Sequence, residues 1–390
     1  MRIILFTDTF PPEINGVATS TYNLMNVLKK NGHEVFVVCT NPYGKKTTFD
    51  GTILRIPGIE LKKLYSYRLS SFYNSKAMRI IIKLKPDIIH VQTDAGIGVF
   101  GRRTAKKLKI PLVYTYHTMY EDYTYYVTKG KKLFDIVAKS VVRKYSRFMA
   151  EKNTEFIAPS NKTKEIMRNY GVESYINVVP SGIDFEKYLL KNIDEKKLQE
   201  IKNNLNLQGF YTILSLGRVA KEKSIDICIK GFNKLLKSTK KVKMVIVGGG
   251  PDLENLQNLV KELKIEDYVV FVGPVSPDDV AYYYHSADLF VSASITETQG
   301  LTFMESMAAR TLVLAKYDGN LADVIIDNET GFYFEDEDDF AIKAQRIISL
   351  SKSKQDEIKD KALKQIEHYS IDKFYTNIME VYKRAERKYW

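Results

Sequence analysis

The sequence predicts an α/β protein made of two tandem Rossmann-like domains, each a doubly wound and mainly parallel sheet. Three observations lead to this prediction: the length of 390 residues, the alternation of short apolar segments with longer helical patterns, and the uninterrupted apolar character of the short segments. A chain of this length exceeds one ordinary hydrophobic core. Continuous apolar strands are typical of parallel sheets, because helices cover both faces of such sheets.

The predicted strands fall into two groups. Those of the first group are residues 2–6, 34–39, 87–91, 112–116 and 155–159, and those of the second are 211–217, 243–249, 268–273, 288–294, 311–316 and 331–334. Pro180 and Gly182 interrupt the pattern between the groups, which predicts domains at residues 1–180 and 181–370. Residues 371–390 form an amphipathic helical pattern, and we expect this helix to return to the first domain.

The net charge of +12 is unevenly distributed along the chain. Residues 1–180 carry 29 Lys and Arg against 14 Asp and Glu, whereas residues 181–390 carry 30 against 33. So basic a first half indicates an anionic partner, either nucleic acid or an acidic lipid surface. The sequence contains no RNP-type motif, zinc-ligand spacing or helix-turn-helix signal, so nucleic acid is not expected.

Ligands of such folds bind beyond the carboxyl ends of the strands, and two domains facing a cleft would place the site there. In the first domain, Gly16 follows the first strand and precedes a helix, where it either admits a ligand to free backbone N–H groups or simply makes a tight turn. His117 follows the fourth predicted strand. It either hydrogen-bonds a sugar hydroxyl or a developing charge, or is an isolated histidine without such a role.

In the second domain, Arg218 and Lys223 lie in the loop after the first strand. Two cations at the start of a helix suit a diphosphate, although both could equally be solvated surface charges.

A second loop of this domain, SITETQGLTFME (294–305), carries two carboxylates and a glycine at the start of a helix. Gly300 permits the turn, and the helix begins near Leu301 and Thr302 with free N–H groups for phosphate. Glu305 could accept hydrogen bonds from vicinal ribose hydroxyls, and Glu297 from those of a sugar. A plain helix cap with a favourable dipole interaction would explain Glu305 but not Glu297 with Gly300.

Together these motifs resemble the retaining family-4 glycosyltransferases of the GT-B fold. The resemblance rests on Asn15-Gly16-Val17, His117, the Arg218/Lys223 pair and the Glu297-x7-Glu305 pattern, and it extends through PSGID (180–184) and VIVGGGP (245–251).

The resemblance implies a nucleotide-sugar donor in the C-terminal domain and an acceptor in the N-terminal one. By this analogy His117 and Glu297 are the catalytic-site residues at the sugar, Arg218 and Lys223 hold the diphosphate, and Glu305 holds the ribose. The remaining donor-binding residues implied are Gly16 at the diphosphate, Val275 at the base, and Gln299, Gly300, Leu301 and Thr302, whose backbone holds the sugar ring. Family members have no clear protein nucleophile and usually no essential metal, so neither a metal site nor a tightly bound cofactor is expected.

Two departures from the commoner family pattern narrow the expected substrate. The first loop has one glycine rather than two, and Thr298-Gln299 stand where Gly-Phe is frequent. The variant TETQGLT looks like the bacterial enzymes that glucosylate diacylglycerol, which favours UDP-glucose as donor and diacylglycerol as acceptor. Another lipid or a soluble acceptor, as in phosphatidylinositol mannosyl transfer, and a non-catalytic nucleotide- or lipid-binding module stay as alternatives.

Residues 61–85 contain seven Lys and Arg and no acidic residue, and residues 131–150 combine basic and apolar residues at helical spacing. The second segment is typical of a helix lying in an anionic bilayer interface, although a core-facing helix with a solvated basic face would show the same pattern. The expected location is the cytoplasmic face of the membrane, with peripheral attachment and the oligomeric state left open. The predicted membrane-binding residues are Lys131, Lys132, Phe134, Lys139, Arg143, Lys144, Arg147 and Phe148.

Overall fold

The structure is a computed structural model that describes residues 1–13, 15–61, 67–124, 128, 132–295, 297 and 299–389. The chain divides into two compact units, Met1–Gly182 with Ile371–Trp390, and Ile183–Ser370. The first is called the N-terminal unit and the second the C-terminal unit.

The N-terminal unit contains one mainly parallel sheet in the order β3-β4-β2-β1-β6-β7-β8-β9, with β5 paired to β4. Its strands are β1 Arg2–Thr7, β2 Glu34–Asn41, β3 Thr48–Phe49, β4 Ile53–Leu61, β5 Tyr67–Ser70, β6 Ile88–Val91, β7 Leu112–Thr115, β8 Glu155–Ala158 and β9 Ile176–Val178. Its described helices are α1 Gly16–Lys30, α2 Ser75–Leu84, α3 Gly96–Leu108, α4 Lys132–Glu151, α5 Asn161–Asn169 and the C-terminal α13 Ile371–Tyr389. Among the strands of the described residues, only β3 and β5 pair antiparallel, both with β4.

The C-terminal unit contains a parallel sheet in the order β12-β11-β10-β13-β14-β15. Its strands are β10 Tyr211–Leu216, β11 Val242–Val247, β12 Val269–Gly273, β13 Leu289–Ser292, β14 Leu312–Lys316 and β15 Phe332–Phe334. Its helices are α6 Glu195–Asn204, α7 Ile225–Leu235, α8 Leu253–Glu262, α9 Val280–His285, α10 Leu301–Ala308, α11 Glu337–Ile348 and α12 Lys352–Ile366.

Both faces of each sheet are buried, as the continuous apolar strands predict. In β1 the adjacent residues Ile4 and Leu5 belong to two different core clusters, and in β10 the same is true of Ile213 and Leu214. The predicted return of the C-terminal helix is confirmed. Its apolar face, which includes Phe374, Ile378, Val381 and Tyr382, packs into the same cluster as Leu5.

Strand β4 is absent from the sequence prediction because it contains Pro57 and Gly58, which usually interrupt strands. In the structure Pro57 pairs with Asn41 at the last position of the β2–β4 ladder, where a missing N–H is tolerated. Strands β3, β5 and β9 are two to four residues long, too short to show a periodicity.

The order of strands reverses once in each sheet. Most of the candidate site residues lie in loops that follow strands at or next to these reversal points. In the N-terminal unit the reversal lies between β1 and β6, and in the C-terminal unit between β10 and β13. At such a point the loops after the two strands diverge and leave a crevice in which ligands of open α/β sheets bind.

A buried carboxylate attaches α13 to the first sheet. The side chain of Glu155, at the start of β8, is fully buried and accepts hydrogen bonds from Arg384 Nε at 3.1 Å and from Asn177 Nδ2 at 2.7 Å. Lys388 Nζ lies 2.7 Å from the same carboxylate. Two cations of α13 thus neutralise an acid that would be very costly to bury alone.

We expect Arg384→Ala to lower the free energy of unfolding by about 1–3 kcal/mol, because Lys388 continues to neutralise part of the buried charge. Urea unfolding followed by circular dichroism measures this effect. Arg387→Ala is the matched control, since Arg387 lies exposed on the same helix. Equal stability of the two variants would contradict the assigned role of Arg384.

Candidate active site

The reversal point of the C-terminal unit carries two of the predicted site loops. The loop after β10 holds Arg218 and Lys223, and the loop after β13 holds Glu297. Because β10 and β13 are neighbours in the sheet, these loops meet although about seventy residues separate them in sequence. The structure therefore brings Lys223 and Glu297 into direct contact.

Lys223 and Glu297 form a partly buried ion pair. Lys223 Nζ donates to Glu297 Oε1 at 2.6 Å and lies 3.4 Å from Ser294 Oγ. Burial by itself would raise the pKa of the Glu297 carboxyl, but the Lys223 charge and the hydrogen bonds from Lys223 and Ser294 outweigh it, and the pKa is lowered. Glu297 is consequently an anion at neutral pH and a hydrogen-bond acceptor.

Arg218 forms an ion pair with Glu222, four residues later in the same loop. The Glu222 side chain is almost fully buried, whereas that of Arg218 is about one-third exposed. Glu222 is thus the one acidic residue among the cations Arg218, Lys221 and Lys223 of this loop. The exposed part of the guanidinium is suited to an anionic ligand such as phosphate.

Helix α10 begins at the end of the second loop. Its N-cap is Gly300, which has a φ of 75°. A Cβ atom at this position would lie 2.5 Å from Leu321 Cδ2, so that both the backbone conformation and the packing require glycine. Leu301 and Thr302 form the first turn, where backbone N–H groups have no partner within the helix. The buried Gln299 directly precedes this turn.

Glu305 lies one turn further into α10 and is buried. Tyr284 Oη lies 3.0 Å from Glu305 Oε2 and 3.1 Å from the Thr302 carbonyl oxygen, so its single proton is shared between these two acceptors. Burial raises the pKa of Glu305, against the opposing effects of the Lys187 charge and of hydrogen bonds from Tyr284 and Tyr188. The carboxylate retains acceptor capacity for a ligand hydroxyl.

The glycine-rich segment at the end of β11 is hydrogen-bonded to the backbone of the Arg218 loop. Gly217 N donates to Val247 O at 2.9 Å, and Val219 N donates to Gly249 O at 3.0 Å. At Gly248 a Cβ atom would lie 1.8 Å from the Gly217 carbonyl oxygen, and the φ of this residue is 139°. The glycines of VIVGGGP therefore allow two backbone segments to touch.

Val275, predicted at the nucleotide base, lies in the loop after β12. It is partly buried and packs against the core cluster that contains Phe303 and Met304 of α10.

In the N-terminal unit, Gly16 is the first residue of α1 and is exposed. Asn15 caps this helix, and its Oδ1 accepts from Ala18 N at 2.9 Å and lies 3.2 Å from Thr9 Oγ1. The exposed N-terminus of α1 follows β1 at the reversal point, as the sequence predicts for a ligand-facing loop.

His117 follows β7, two residues beyond its end, and is part-buried. Its Nε2 atom lies 2.7 Å from Oε1 of Gln92, which follows the neighbouring strand β6. Burial lowers the pKa of His117 to about 4, so the imidazole is neutral at physiological pH.

The segment after His117 is bonded to helix α4. Glu121 accepts hydrogen bonds from Tyr170 Oη at 2.6 Å and from two guanidinium nitrogens of Arg143. The Arg143 hydrogen bond, opposed by burial, lowers the pKa of Glu121.

Helix α4 carries most of the predicted membrane-binding residues. Phe134, Val137, Val141 and Phe148 are 57–64% exposed and recur at helical spacing. Of the basic residues, Lys139 pairs with Asp135, Arg143 with Glu121, and Arg147 with Glu151 and Glu173, while Lys144 is exposed. Lys131 and the side chain of Lys132 lie outside the described residues, as does part of the basic segment 61–85.

Several site residues are absent from the sequence prediction. Glu222, Tyr284 and Gln92 contact predicted residues but belong to no motif of their own, and Ser294 opens the motif 294–305 without a predicted role. Only Glu222, spaced four residues from Arg218, carried a signal in the sequence.

Family models match both halves of the chain. The description "Glycosyltransferase Family 4" matches residues 14–187, and "Glycosyl transferases group 1" matches residues 197–365. The alpha-monoglucosyldiacylglycerol synthase of Streptococcus pneumoniae is 38% identical over 342 residues, which cover 87% of this chain and 77% of that protein. This chain is a family-4 glycosyltransferase. A synthase of the same name from Acholeplasma laidlawii is 35% identical and covers 86% of this chain and 85% of its own length.

Solved structures confirm the GT-B fold of this glycosyltransferase. The structure of Anabaena HepE in complex with UDP and glucose superposes with a TM-score of 0.77 at 16% identity, covering 97% of this chain and 98% of that one. The family models and the relatives establish the resemblance to family 4 and the enzyme class, a nucleotide-sugar-dependent hexosyltransferase. The solved structure establishes the two-domain α/β fold. Among the described residues, no group of three or more His, Cys, Asp or Glu side chains is arranged to hold a metal ion.

Proposed function

We propose that this glycosyltransferase moves glucose from UDP-glucose to diacylglycerol, with retention of the anomeric configuration, at the cytoplasmic face of an anionic membrane. The relatives named as alpha-monoglucosyldiacylglycerol synthases support the acceptor, and the HepE complex with UDP and glucose supports the donor. The observation that carries the lipid acceptor is the exposed apolar stripe Phe134, Val137, Val141 and Phe148 on the basic helix α4.

In this proposal the C-terminal unit binds the donor. Arg218, Lys223 and the N-terminus of α10 contact the diphosphate, because cationic side chains and the N–H groups of a helix N-terminus are suited to phosphate. Glu305 accepts from the ribose hydroxyls and Glu297 from those of glucose. When Lys223 binds phosphate, its ion pair with Glu297 weakens. The Glu297 carboxylate then becomes available to accept from the sugar hydroxyls.

His117 contributes a neutral imidazole to the donor sugar, and Gly16 admits the diphosphate to the start of α1. Val275 contacts the base, and the backbone of residues 299–302 contacts the sugar ring. No divalent cation is required, because arginine, lysine and a helix N-terminus supply the positive charge that the departing UDP needs.

The test is transfer of radiolabelled glucose from UDP-glucose to dioleoylglycerol in mixed micelles, with and without phosphatidylglycerol, by the purified full chain. We expect an α-linked glucosyl-diacylglycerol, identified by NMR, in amounts that increase with phosphatidylglycerol. Hydrolysis of UDP-glucose without transfer would contradict the acceptor, and the absence of any UDP-glucose turnover would contradict the donor. A parallel reaction with GDP-mannose and phosphatidylinositol tests the alternative substrates.

The apolar stripe of α4 gives a separate prediction. We expect Val141→Asp to weaken binding to vesicles of 70% phosphatidylcholine and 30% phosphatidylglycerol by about tenfold or more, because an aliphatic contact worth roughly 1.5 kcal/mol is lost and an anion is added. Vesicle co-sedimentation measures the binding.

Ile342→Asp provides the matched control for this experiment. Ile342 lies on α11 of the C-terminal unit and is 66% exposed, close to the exposure of Val141. Equal vesicle binding by the two variants would contradict a membrane role for α4.

No helix of the described residues is long and apolar enough to cross a bilayer.

A further inference from the structure

A glutamine that belongs to no predicted motif lies at the reversal point of the N-terminal sheet. Gln92 directly follows β6, and its backbone N–H donates to the Phe6 carbonyl of β1 at 2.8 Å. The residue is 3% exposed. Since β1 and β6 are the strands between which the order reverses, Gln92 lies where ligands of such sheets bind.

The contact between Gln92 and His117 determines which nitrogen of the imidazole carries the proton. Gln92 Oε1 lies 2.7 Å from His117 Nε2, and an amide oxygen can only accept. Nε2 must therefore be protonated. In a neutral imidazole this leaves the lone pair on Nδ1, the ring nitrogen through which His117 can accept a hydrogen bond from a ligand.

The other end of the same amide is unsatisfied. Gln92 Nε2 is buried and has no hydrogen-bond partner among the described residues. A buried N–H group without a partner is costly, and proteins rarely retain one without a ligand or water to satisfy it. The pair thus offers an acceptor at Nδ1 of His117 and a donor at the Gln92 amide, a combination that suits the adjacent oxygens of a polyhydroxylated sugar.

We propose that Gln92 is a positioning residue of the sugar subsite: it holds His117 as the Nε2–H tautomer, so that Nδ1 accepts from one sugar hydroxyl, and its own amide N–H donates to a neighbouring sugar oxygen. This inference rests on the proposed function, in which His117 contacts the donor sugar. If Gln92 were buried only for packing, His117 would not need to be held as the Nε2–H tautomer.

Three titratable groups of the described residues lie close in sequence to Gln92 or His117. His90, two residues before Gln92, bonds through both ring nitrogens to Tyr382 and Thr115, and burial lowers its pKa to about 3. Burial raises the pKa of Asp94 to about 6. Glu121 is bonded to Arg143. Because all three remain in every Gln92 variant, differences between variants and wild type isolate the Gln92–His117 contact.

The first readout does not depend on turnover. Long-range ¹H–¹⁵N NMR of the full chain, which has five histidines, identifies the tautomer of His117 after assignment with His117→Ala. We expect the Nε2–H tautomer in the wild type and a mixture in Gln92→Met, which is similar in size but lacks polar atoms. In Gln92→Glu a carboxylate faces Nε2–H, and the pKa of His117 should rise. An Nδ1–H tautomer in the wild type would overturn the inference.

The second readout is kinetic. We expect Gln92→Met to lower kcat/KM for UDP-glucose by about 10- to 100-fold, the loss expected when a ligand and a buried imidazole lose one hydrogen-bonding partner. Gln92→Glu should lose activity as the pH falls through the raised pKa of His117, because an imidazolium cannot accept through Nδ1. His90→Asn is the control: it should lower the unfolding temperature and leave the pH profile unchanged. If kcat/KM of Gln92→Met stayed within twofold of the wild-type value, the inference would be overturned. If the wild type did not use UDP-glucose but His117 was the Nε2–H tautomer by NMR, only the proposed donor would be overturned.

Discussion

Lys223→Met should lower the rate of glucose transfer by about 10²- to 10³-fold, the loss expected when one charged donor is removed from a developing anion. Two effects contribute to this loss. The departing diphosphate loses a cation, and Glu297 loses the partner that lies 2.6 Å from its Oε1. We expect Glu297→Gln to lower the rate by a similar factor and the double variant to be little worse than either single variant, because the two residues act as one unit.

Lys230→Ala is the matched control for Lys223→Met. Lys230 pairs with Asp226 at 3.0 Å on the nearby helix α7, but both side chains are more than 40% exposed. Such a pair contributes little, so we expect activity within about twofold of wild type. Strictly multiplicative losses in the double variant would show that Lys223 and Glu297 act independently.

The same ion pair predicts a pH dependence of stability. In the wild type the pKa of Glu297 is lowered on folding, so its contribution to stability is present above the unfolded-state pKa and is lost as the pH falls through the folded-state value. In Lys223→Met the hydrogen bond from Ser294 alone opposes burial, which is the largest effect, so the pKa of Glu297 should rise and the variant should instead lose stability as the pH rises above the unfolded-state value. Thermal unfolding of both proteins between about pH 3 and 7, a range that extends to both sides of the reference Glu pKa of about 4.3, measures this difference.

Gly248→Ala should both destabilise the C-terminal unit and weaken donor binding. The new Cβ atom would lie 1.8 Å from the Gly217 carbonyl oxygen at a residue whose φ is 139°. Backbone strain and overpacking together predict a loss of about 2–4 kcal/mol in the free energy of unfolding. Because the displaced backbone precedes Arg218, we expect the affinity for UDP-glucose to fall by about tenfold or more, which corresponds to a misplaced charged contact of about 1.4 kcal/mol.

Gly249→Ala is the control, because the added Cβ would lie 3.4 Å from Pro274 Cδ, an ordinary contact distance, and the residue has no positive φ. Differential scanning calorimetry and isothermal titration with UDP-glucose measure the two effects. If Gly248→Ala matched Gly249→Ala in both experiments, the close approach of the two backbone segments would not support the donor site.

The long apolar strands and the amphipathic C-terminal helix could be predicted from local patterns, and the structure contains them. Strand β4 could not, because Pro57 and Gly58 resemble a break and only the partner strand β2 shows that the ladder continues to Asn41. Among the candidate site residues, Lys223 and Glu297 could be proposed from the sequence because they stand in loops that follow strands, and Glu305 because it lies in the first turns of the helix after such a loop. Tyr284 and Gln92 were not, since a tyrosine within a helix and a polar residue after a strand are common in any sequence.

The sequence by itself determined the two α/β units, the loops that carry the candidate site and the basic amphipathic character of helix α4. These features follow from periodicity and turn residues, which act over a few neighbouring positions. Only the tertiary structure decided that Lys223 lies against Glu297, 74 residues away, and Gln92 against His117, 25 residues away. Such contacts depend on which strands become neighbours in the sheet, and strand order is set by the packing of the whole unit rather than by any local segment.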